Sequence, residues 1–437
     1  MKEKIQKYTD EHADYEQDGF TLGIQENISS GRIAEIYDFA EKHFQKAPAD
    51  LPTDLKLGLL CAVMRISAQD IDEIIADHSE VSRTIKGHAF EVVFDTMMHT
   101  NGIVCTEVGG DSDVDRVING FTLQLKTPYE AGCSTGIVSY KTHKTHGAKS
   151  QNESFNYYHK AEEFADFLVG LVSYHPFRVV IIDKQKLPRV QGHTEYILSP
   201  MFIPNNDPAT INAYGNLGIT GTLSFPENLL NLEDNECLPK SSGLLDMRSD
   251  YILRAIFIKD NFRIWDMNMR GFIREHVLTK TLKSHRIHVY PAKATGLDRS
   301  DKCDIVLKKT DNSFVRFQVK GLTWRGCRLK GADTTVDCET QLSRGRVNDH
   351  PTQSRLYMDS DFEAVIIAVD PPYSNQLSLA ATGKPDYNWR FYCVPQRALT
   401  KHKVYTRRVA SHQHIKYIEL QQYLIDRAWL DTMKKED

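Results

Sequence analysis

Four residue types recur in one order along this chain of 437 residues: a glutamate, then an aspartate, then a glutamine two positions before a lysine. The first set is Glu91, Asp115, Gln124 and Lys126; the second is Glu275, Asp304, Gln318 and Lys320. Carboxylate and amide oxygens are hard donors that suit magnesium, an ion that keeps several waters and takes only one or two carboxylates from a protein. A cation held this way polarises a phosphoryl oxygen and acidifies a bound water, while an ammonium on the same face orients that water or stabilises developing charge. The competing reading of one such set is a structural Asp–Lys ion pair on a polar sheet face, worth little when exposed.

The chemistry needs elements that bring the four side chains together. Asn119-Gly120, between Arg116-Val-Ile and Phe-Thr-Leu-Gln-Leu, predicts a hairpin with a two-residue type I′ turn. Ile118 then pairs with Phe121, and counting outward sets Asp115 opposite Gln124. Strand alternation puts Thr122, Gln124 and Lys126 on one face and Phe121, Leu123 and Leu125 on the other. Upstream, Gly87 to Met98 reads as a helix whose buried arc is Phe90, Val93, Phe94, Met97 and Met98, with Glu91 at its margin. Downstream, Phe164 to Val172 and Phe177 to Ile182 read as buried strands, so residues 81–190 are expected to form a mixed α/β layer.

The landmarks of this region return after residue 265. Gly271-Phe-Ile-Arg-Glu275 repeats the Gly-x-x-x-Glu of Gly87 to Glu91, with Leu278 and Leu282 beside Glu275 on the wheel. Asp304, Ile305-Val-Leu, a turn around Thr310-Asp-Asn312 and Phe314 to Lys320 repeat the hairpin. A three-residue loop with Asn312 left-handed sets Asp304 opposite Gln318, whereas a bulge shifts the register by one. Gly132-Cys133 and Gly326-Cys327 each lie six residues past the lysine; Asp166-Phe167 is matched with Asp361-Phe362, and Phe177-Arg178 with Trp389-Arg390. Landmarks in one order make a duplicated domain the expectation.

With these residues, both regions resemble the PD-(D/E)XK nuclease superfamily, which includes many type II restriction endonucleases and the Mrr-like enzymes. The resemblance covers residues 81–190 and 265–400. It implies that Asp115 with Gln124, and Asp304 with Gln318, bind Mg2+; that Lys126 and Lys320 assist the attacking water; and that Glu91 and Glu275 are supporting helix glutamates. Glutamine stands where most members carry Glu or Asp, a variant similar to that of Mrr-like members. The implied architecture is an α/β fold of mixed sheets with two restriction-endonuclease-like cores. Its expected domains are an N-terminal helical domain (1–80), a first core (81–190), a connector (191–255) and a second core (256–437).

The implied activity is magnesium-dependent cleavage of both strands of double-stranded DNA by a single chain, with a cognate DNA methyltransferase as partner if the enzyme serves restriction. The segments after each lysine, Tyr140 to Lys149 and Trp324 to Lys330, offer Lys141, Lys144, Lys149, Arg325, Arg328 and Lys330 as phosphate contacts. Two alternatives use the same residues: one catalytic core beside a DNA-reading core, or a non-catalytic DNA-binding protein with a decayed nuclease fold.

Composition narrows the classes. Lysine plus arginine number 54 against 58 acidic residues, a formal net charge of -4, so only local basic clusters could favour nucleic acid. The eight cysteines include no CxxC pair, which suggests neither a zinc module nor a disulfide framework. No apolar run reaches 18 residues, and Met-Lys-Glu-Lys-Ile-Gln-Lys at the start lacks a signal-peptide core, so a cytoplasmic protein without membrane contact is expected.

Overall fold

A computed structural model describes residues 33–108, 114–142, 158–225, 232–233, 235–292, 303–308, 313–341 and 356–433. The chain is a mixed α/β protein, and no helix among the described residues is long and apolar enough to cross a membrane. It divides into two compact units, one of Met1–Gln45, Gly58–Ile74 and Asp266–Asp437, the other of Lys46–Leu57 and Ile75–Trp265.

Helices α1 (Ile33–Phe44) and α2 (Thr53–Met64) form where apolar residues recur three and four apart, with the turn Pro48–Asp50 between them, and α3 (Ala68–Asp77) follows. The next helix, α4 (Ser79–Thr100), buries all five residues of the expected arc and leaves Glu91 half-buried. Strands β1 (Cys105–Glu107), β2 (Arg116–Ile118) and β3 (Phe121–Lys126) make the predicted hairpin and a flanking strand. Asn119 and Gly120 have φ of 50° and 83°, the left-handed pair that a type I′ turn demands. The ladder pairs Ile118 with Phe121 and Arg116 with Leu123, which puts Asp115 opposite Gln124.

After β4 (Ile137–Tyr140), the strands β5 (Phe167–Tyr174) and β6 (Phe177–Asp183) complete a five-stranded sheet of order β1-β2-β3-β5-β6. Only β3 and β5 are parallel; the other pairs are antiparallel. The stretch 191–255, expected as a connector, carries short strands and helices. It and the preceding residues add β7 (Arg189–Val190) paired to β8 (His193–Ile197), then β9 (Met201–Pro204), which pairs with β4. Val138, Tyr140, Met201 and Ile203 thereby join Phe164, Leu168 and Val180 in one core. Helices α5 (Pro239–Leu245) and α6 (Ser249–Ile256) follow, the latter packed on α4.

Helix α7 (Lys259–Ser284) leads into β10 (Val289–Pro291), β11 (Ile305–Lys308) and β12 (Phe314–Gly321), then β13 (Thr335–Glu339) and β14 (Ala364–Val369). Helix α8 (Pro371–Thr382) starts on Asp370 and two prolines and stops at left-handed Gly383, the local chemistry of a helix start and end. Strands β15 (Arg390–Pro395) and β16 (His412–Lys416) and helices α9 (Tyr417–Leu420) and α10 (Arg427–Met433) close the chain.

The second five-stranded sheet, β10-β11-β12-β14-β15, has the same sequence of pairing senses as the first: antiparallel, antiparallel, parallel, antiparallel. Strand β14, AVIIAV, is buried throughout, as a strand covered on both faces must be. Its odd and even residues feed separate cores, one including Val365, Ile367, Tyr373 and Leu377, the other Ala364, Ile366, Leu278 and Leu282. Burying aliphatic side chains of this size contributes roughly 1.5–3 kcal/mol each, which holds the sheet between its covering layers.

Equivalent details extend beyond the sheets. The N–H of Tyr129 donates to Ser139 O at 2.7 Å, and that of Thr323 to Asp337 O at 2.8 Å. The two Gly-Cys landmarks have a common physical basis. Cys133 Sγ accepts the Ser139 N–H and Cys327 Sγ the Asp337 N–H, each at 3.4 Å. A Cβ on Gly132 would fall 2.6 Å from Ser139 Oγ, and one on Gly326 would overlap Asp337 Oδ2. Strand β16 pairs with β13 as β9 pairs with β4.

One expected correspondence is corrected. Gln124 pairs with Leu168 and Gln318 with Val365, so the counterpart of Asp166 is Glu363 rather than Asp361. The N–H of Thr122 donates to Asp166 Oδ2 at 3.1 Å, and the N–H of Arg316 donates to Glu363 Oε2 at 2.6 Å. Asp361 instead accepts the Met358 N–H at 2.7 Å, holding a turn. Sequence spacing cannot separate two carboxylates two residues apart when the loop before them differs in length.

Candidate active site

In the unit that contains Ile75–Trp265, the hairpin builds the site. Asp115 N–H donates to Leu123 O at 2.8 Å, and Leu125 N–H donates back to Asp115 Oδ2 at 2.7 Å. These bonds turn the carboxylate toward β3. Gln124 is buried at 4% exposure between Leu123 and Leu125, so this stretch is no solvated polar face. Lys126 follows, half-buried, opposite Gly170 of β5.

The second set, in the unit containing Asp266–Asp437, has the same backbone frame. Asp304 N–H donates to Phe317 O at 2.9 Å and Val319 N–H donates to Asp304 Oδ2 at 2.8 Å. The ladder pairs Ile305 with Phe317, which sets Asp304 opposite Gln318, as the unbulged register predicts. The turn at Thr310 to Asn312 lies outside the described residues. Gln318, 3% exposed, donates from Nε2 to Asp304 Oδ2. Lys320 Nζ donates to Gln341 O at 3.2 Å and lies 5.4 Å from the Tyr357 ring centre.

Both glutamines carry the same anomaly. Gln124 Oε1 and Gln318 Oε1 are buried without a hydrogen-bond partner among the described residues. An orphaned buried acceptor is costly, of the order of 1–3 kcal/mol, and calls for an explanation. In the first set a hard cation beside Asp115 would supply one, since carboxylate and amide oxygens are its preferred donors. In the second set Gln318 turns Nε2 rather than the orphaned Oε1 to Asp304, and only a half-turn of the amide would present two oxygens together. The carboxylate and amide oxygens of Asp115, Gln124, Asp304 and Gln318 are of the type that suits Mg2+.

The glutamates are placed differently. Glu91 Oε2 accepts from Arg116 Nη2 at 3.2 Å, and Asp95 binds the same guanidinium at 2.8 Å, with Glu107 at 4.0 Å. Arg116 also donates from Nη1 to the Asp115 carbonyl at 2.8 Å, tying the helix glutamate to the aspartate strand. Burial pushes the Glu91 carboxyl up to about 7; Arg116 opposes that shift, and Asp115, Asp95 and Glu107 reinforce it. Asp95 and Glu91 in turn hold Arg116 protonated above its ordinary value despite burial. Glu275 occupies the matching position on α7, half-buried, but residue 305, beside Asp304, is isoleucine where the first set has Arg116.

Sequence reasoning missed Arg116 and Asp95. The signal was present in the spacing: Asp95 lies one helical turn beyond Glu91, and Arg116 is next to Asp115 on the strand facing away from Gln124. Of the expected phosphate contacts, Lys141 is exposed with its Nζ 3.5 Å from the Tyr129 ring centre. Arg325, Arg328 and Lys330 are exposed after Trp324, whose ring stacks on Tyr373 at 4.3 Å. Lys144 and Lys149 lie outside the described residues.

Comparison with protein-family models, with curated proteins and with solved structures finds no match.

Proposed function

We propose that this protein is a magnesium-dependent endonuclease of duplex DNA, with two PD-(D/E)XK-like active sites in one chain. The observation that supports the reading is a repeated arrangement: a buried glutamine, its amide oxygen without a partner among the described residues, opposite an aspartate that accepts a backbone N–H of the glutamine's strand, built on two sheets with one sequence of pairing senses. In the proposed mechanism Asp115 with Gln124, and Asp304 with Gln318, hold the ion. Bound magnesium supplies Lewis acidity at a phosphoryl oxygen and an acidified water. Lys126 and Lys320 orient that water from the same strand face. Glu91, bonded to Arg116, supports the first site from helix α4. Lys141, Arg325, Arg328 and Lys330 contact phosphates flanking the cut.

Two sites in one chain allow a monomer to cut both strands. The test is plasmid digestion with magnesium by the wild type and by Lys126→Ala, Lys320→Ala and the double variant. Each single variant should nick, and the double variant should be inert. Complete double-strand cutting by either single variant refutes one core per strand, and discrete bands from phage DNA support sequence-specific restriction.

A second reading, one cutting core and one DNA-reading core, draws on the difference between Arg116 and Ile305 beside the two aspartates. It predicts that one lysine variant is inert while the other loses only affinity.

A further inference from the structure

Position 274 separates the two sets. Helix α7 carries Arg274 immediately before Glu275, where α4 carries the buried Phe90 immediately before Glu91. The Arg274 guanidinium packs on the backbone of Gly321, the residue after Lys320. A Cβ at Gly321 would overlap Arg274 Cζ, Nη2 and Nε. Burial pushes the Cys338 thiol up to about 12 against the opposing charges of Lys320 and Arg274, so both cations stand around one side chain. Arg274 is thus a neighbour of the proposed catalytic lysine.

The carboxylates near Arg274 are engaged elsewhere. Asp370 binds Arg65 Nη1 at 3.2 Å and caps α8 through the Tyr373 N–H. Asp266 binds Arg270 Nε at 2.8 Å. Three guanidiniums share these two carboxylates, and among the described residues Arg274 makes no hydrogen bond or ion pair; burial lowers its pKa below the ordinary arginine value, with the charge of Asp370 opposing that shift and that of Arg270 adding to it. None of the guanidinium nitrogens is a buried orphan, so its donors are open to solvent or to a ligand. Its planar fork matches two oxygens of a phosphate.

We propose that Arg274 grips a backbone phosphate of the DNA strand in the second site, with Gly321 as the small residue that lets the guanidinium approach Lys320. The two sites then hold substrate differently: the first spends Arg116 internally on Glu91 and Asp95, and the second leaves Arg274 for the substrate. The identity of the ligand rests on the nuclease reading; the oxyanion site itself rests on the guanidinium.

The experiment uses the full chain. In the Lys126→Ala background, where only the second site cuts, Arg274→Gln is expected to raise KM for plasmid nicking about tenfold with a smaller change in kcat. Arg274→Lys, which keeps the charge without the fork, recovers part of that loss. Binding of a short duplex in calcium across a salt series reads the contact directly. Arg274→Gln should lower the slope of log affinity against log salt by about one. Gly321→Ala leaves the charge and displaces the guanidinium, so it should lower the slope similarly, and thermal melts verify that each variant is folded. Unchanged KM with an unchanged slope, or no duplex binding by the wild type, overturns the proposal. A lowered slope in a protein that cuts no DNA supports the phosphate contact while refuting the nuclease reading.

Discussion

Replacing Glu91 with glutamine tests the electrostatics of the first site without touching an expected metal ligand. Burial raises the folded-state pKa of Glu91 from 4.5 to about 7, with Arg116 opposing. Between those values the folded protein keeps a proton that the unfolded chain releases, so stability falls as pH rises through the window and the loss is complete above about 7. A tenfold change in proton affinity is worth about 1.4 kcal/mol. The side chain is 25% exposed, so water screens part of the effect, which leaves about 2–3 kcal/mol. A glutamine at this position does not titrate, while Asp95 continues to pair Arg116 at 2.8 Å. The stability of Glu91→Gln relative to wild type should therefore rise by about 2–3 kcal/mol from about pH 4.5 to about pH 8. Urea denaturation at several pH values, with EDTA present to remove bound cations, measures the difference. Parallel stability curves across that range would show that Glu91 titrates normally and would refute the burial argument.

Exchanging the two proposed neutral ligands for charged ones, Gln124→Glu and Gln318→Glu, should lower the magnesium concentration for half-maximal cleavage by roughly tenfold, since a carboxylate binds a hard cation more strongly than an amide; an unchanged or raised requirement counts against direct ligation. The landmark glycines should divide by their surroundings. Gly326→Ala pushes a methyl group into Asp337 Oδ2 and should cost about 1–3 kcal/mol in thermal or urea denaturation. Gly271→Ala, with nothing within 4 Å of the added carbon inside helix α7, should stabilise by about 0.5–1 kcal/mol; destabilisation there would point to a contact that forms only with substrate.

Much of the candidate site's backbone geometry was legible in the chain because its parts are local. Asn119-Gly120 requires positive φ at two successive residues, and strand alternation then carries the register outward to Asp115 and Gln124 without further information. The buried arc of α4 follows from apolar spacing alone. The second hairpin is less determined because an odd loop admits a bulge, yet the ladder keeps Asp304 opposite Gln318. The recurrence of Gly-Cys is visible as a pattern, but its cause is not, since the thiol acceptor and the missing Cβ matter only against β4 and β13.

The sequence by itself determined turns, alternation and helix faces, which depend on residues within a few positions of one another. Tertiary structure alone decided that β3 lies parallel to β5, that Glu363 rather than Asp361 answers Asp166, and that residues 201–204 pair with β4. It also decided that Arg116 gathers three carboxylates while Arg274 packs on Gly321. Nearly all of these link segments twenty or more residues apart. Loop length and charge partners at that distance are set by how the chain closes on itself, and no local preference encodes them.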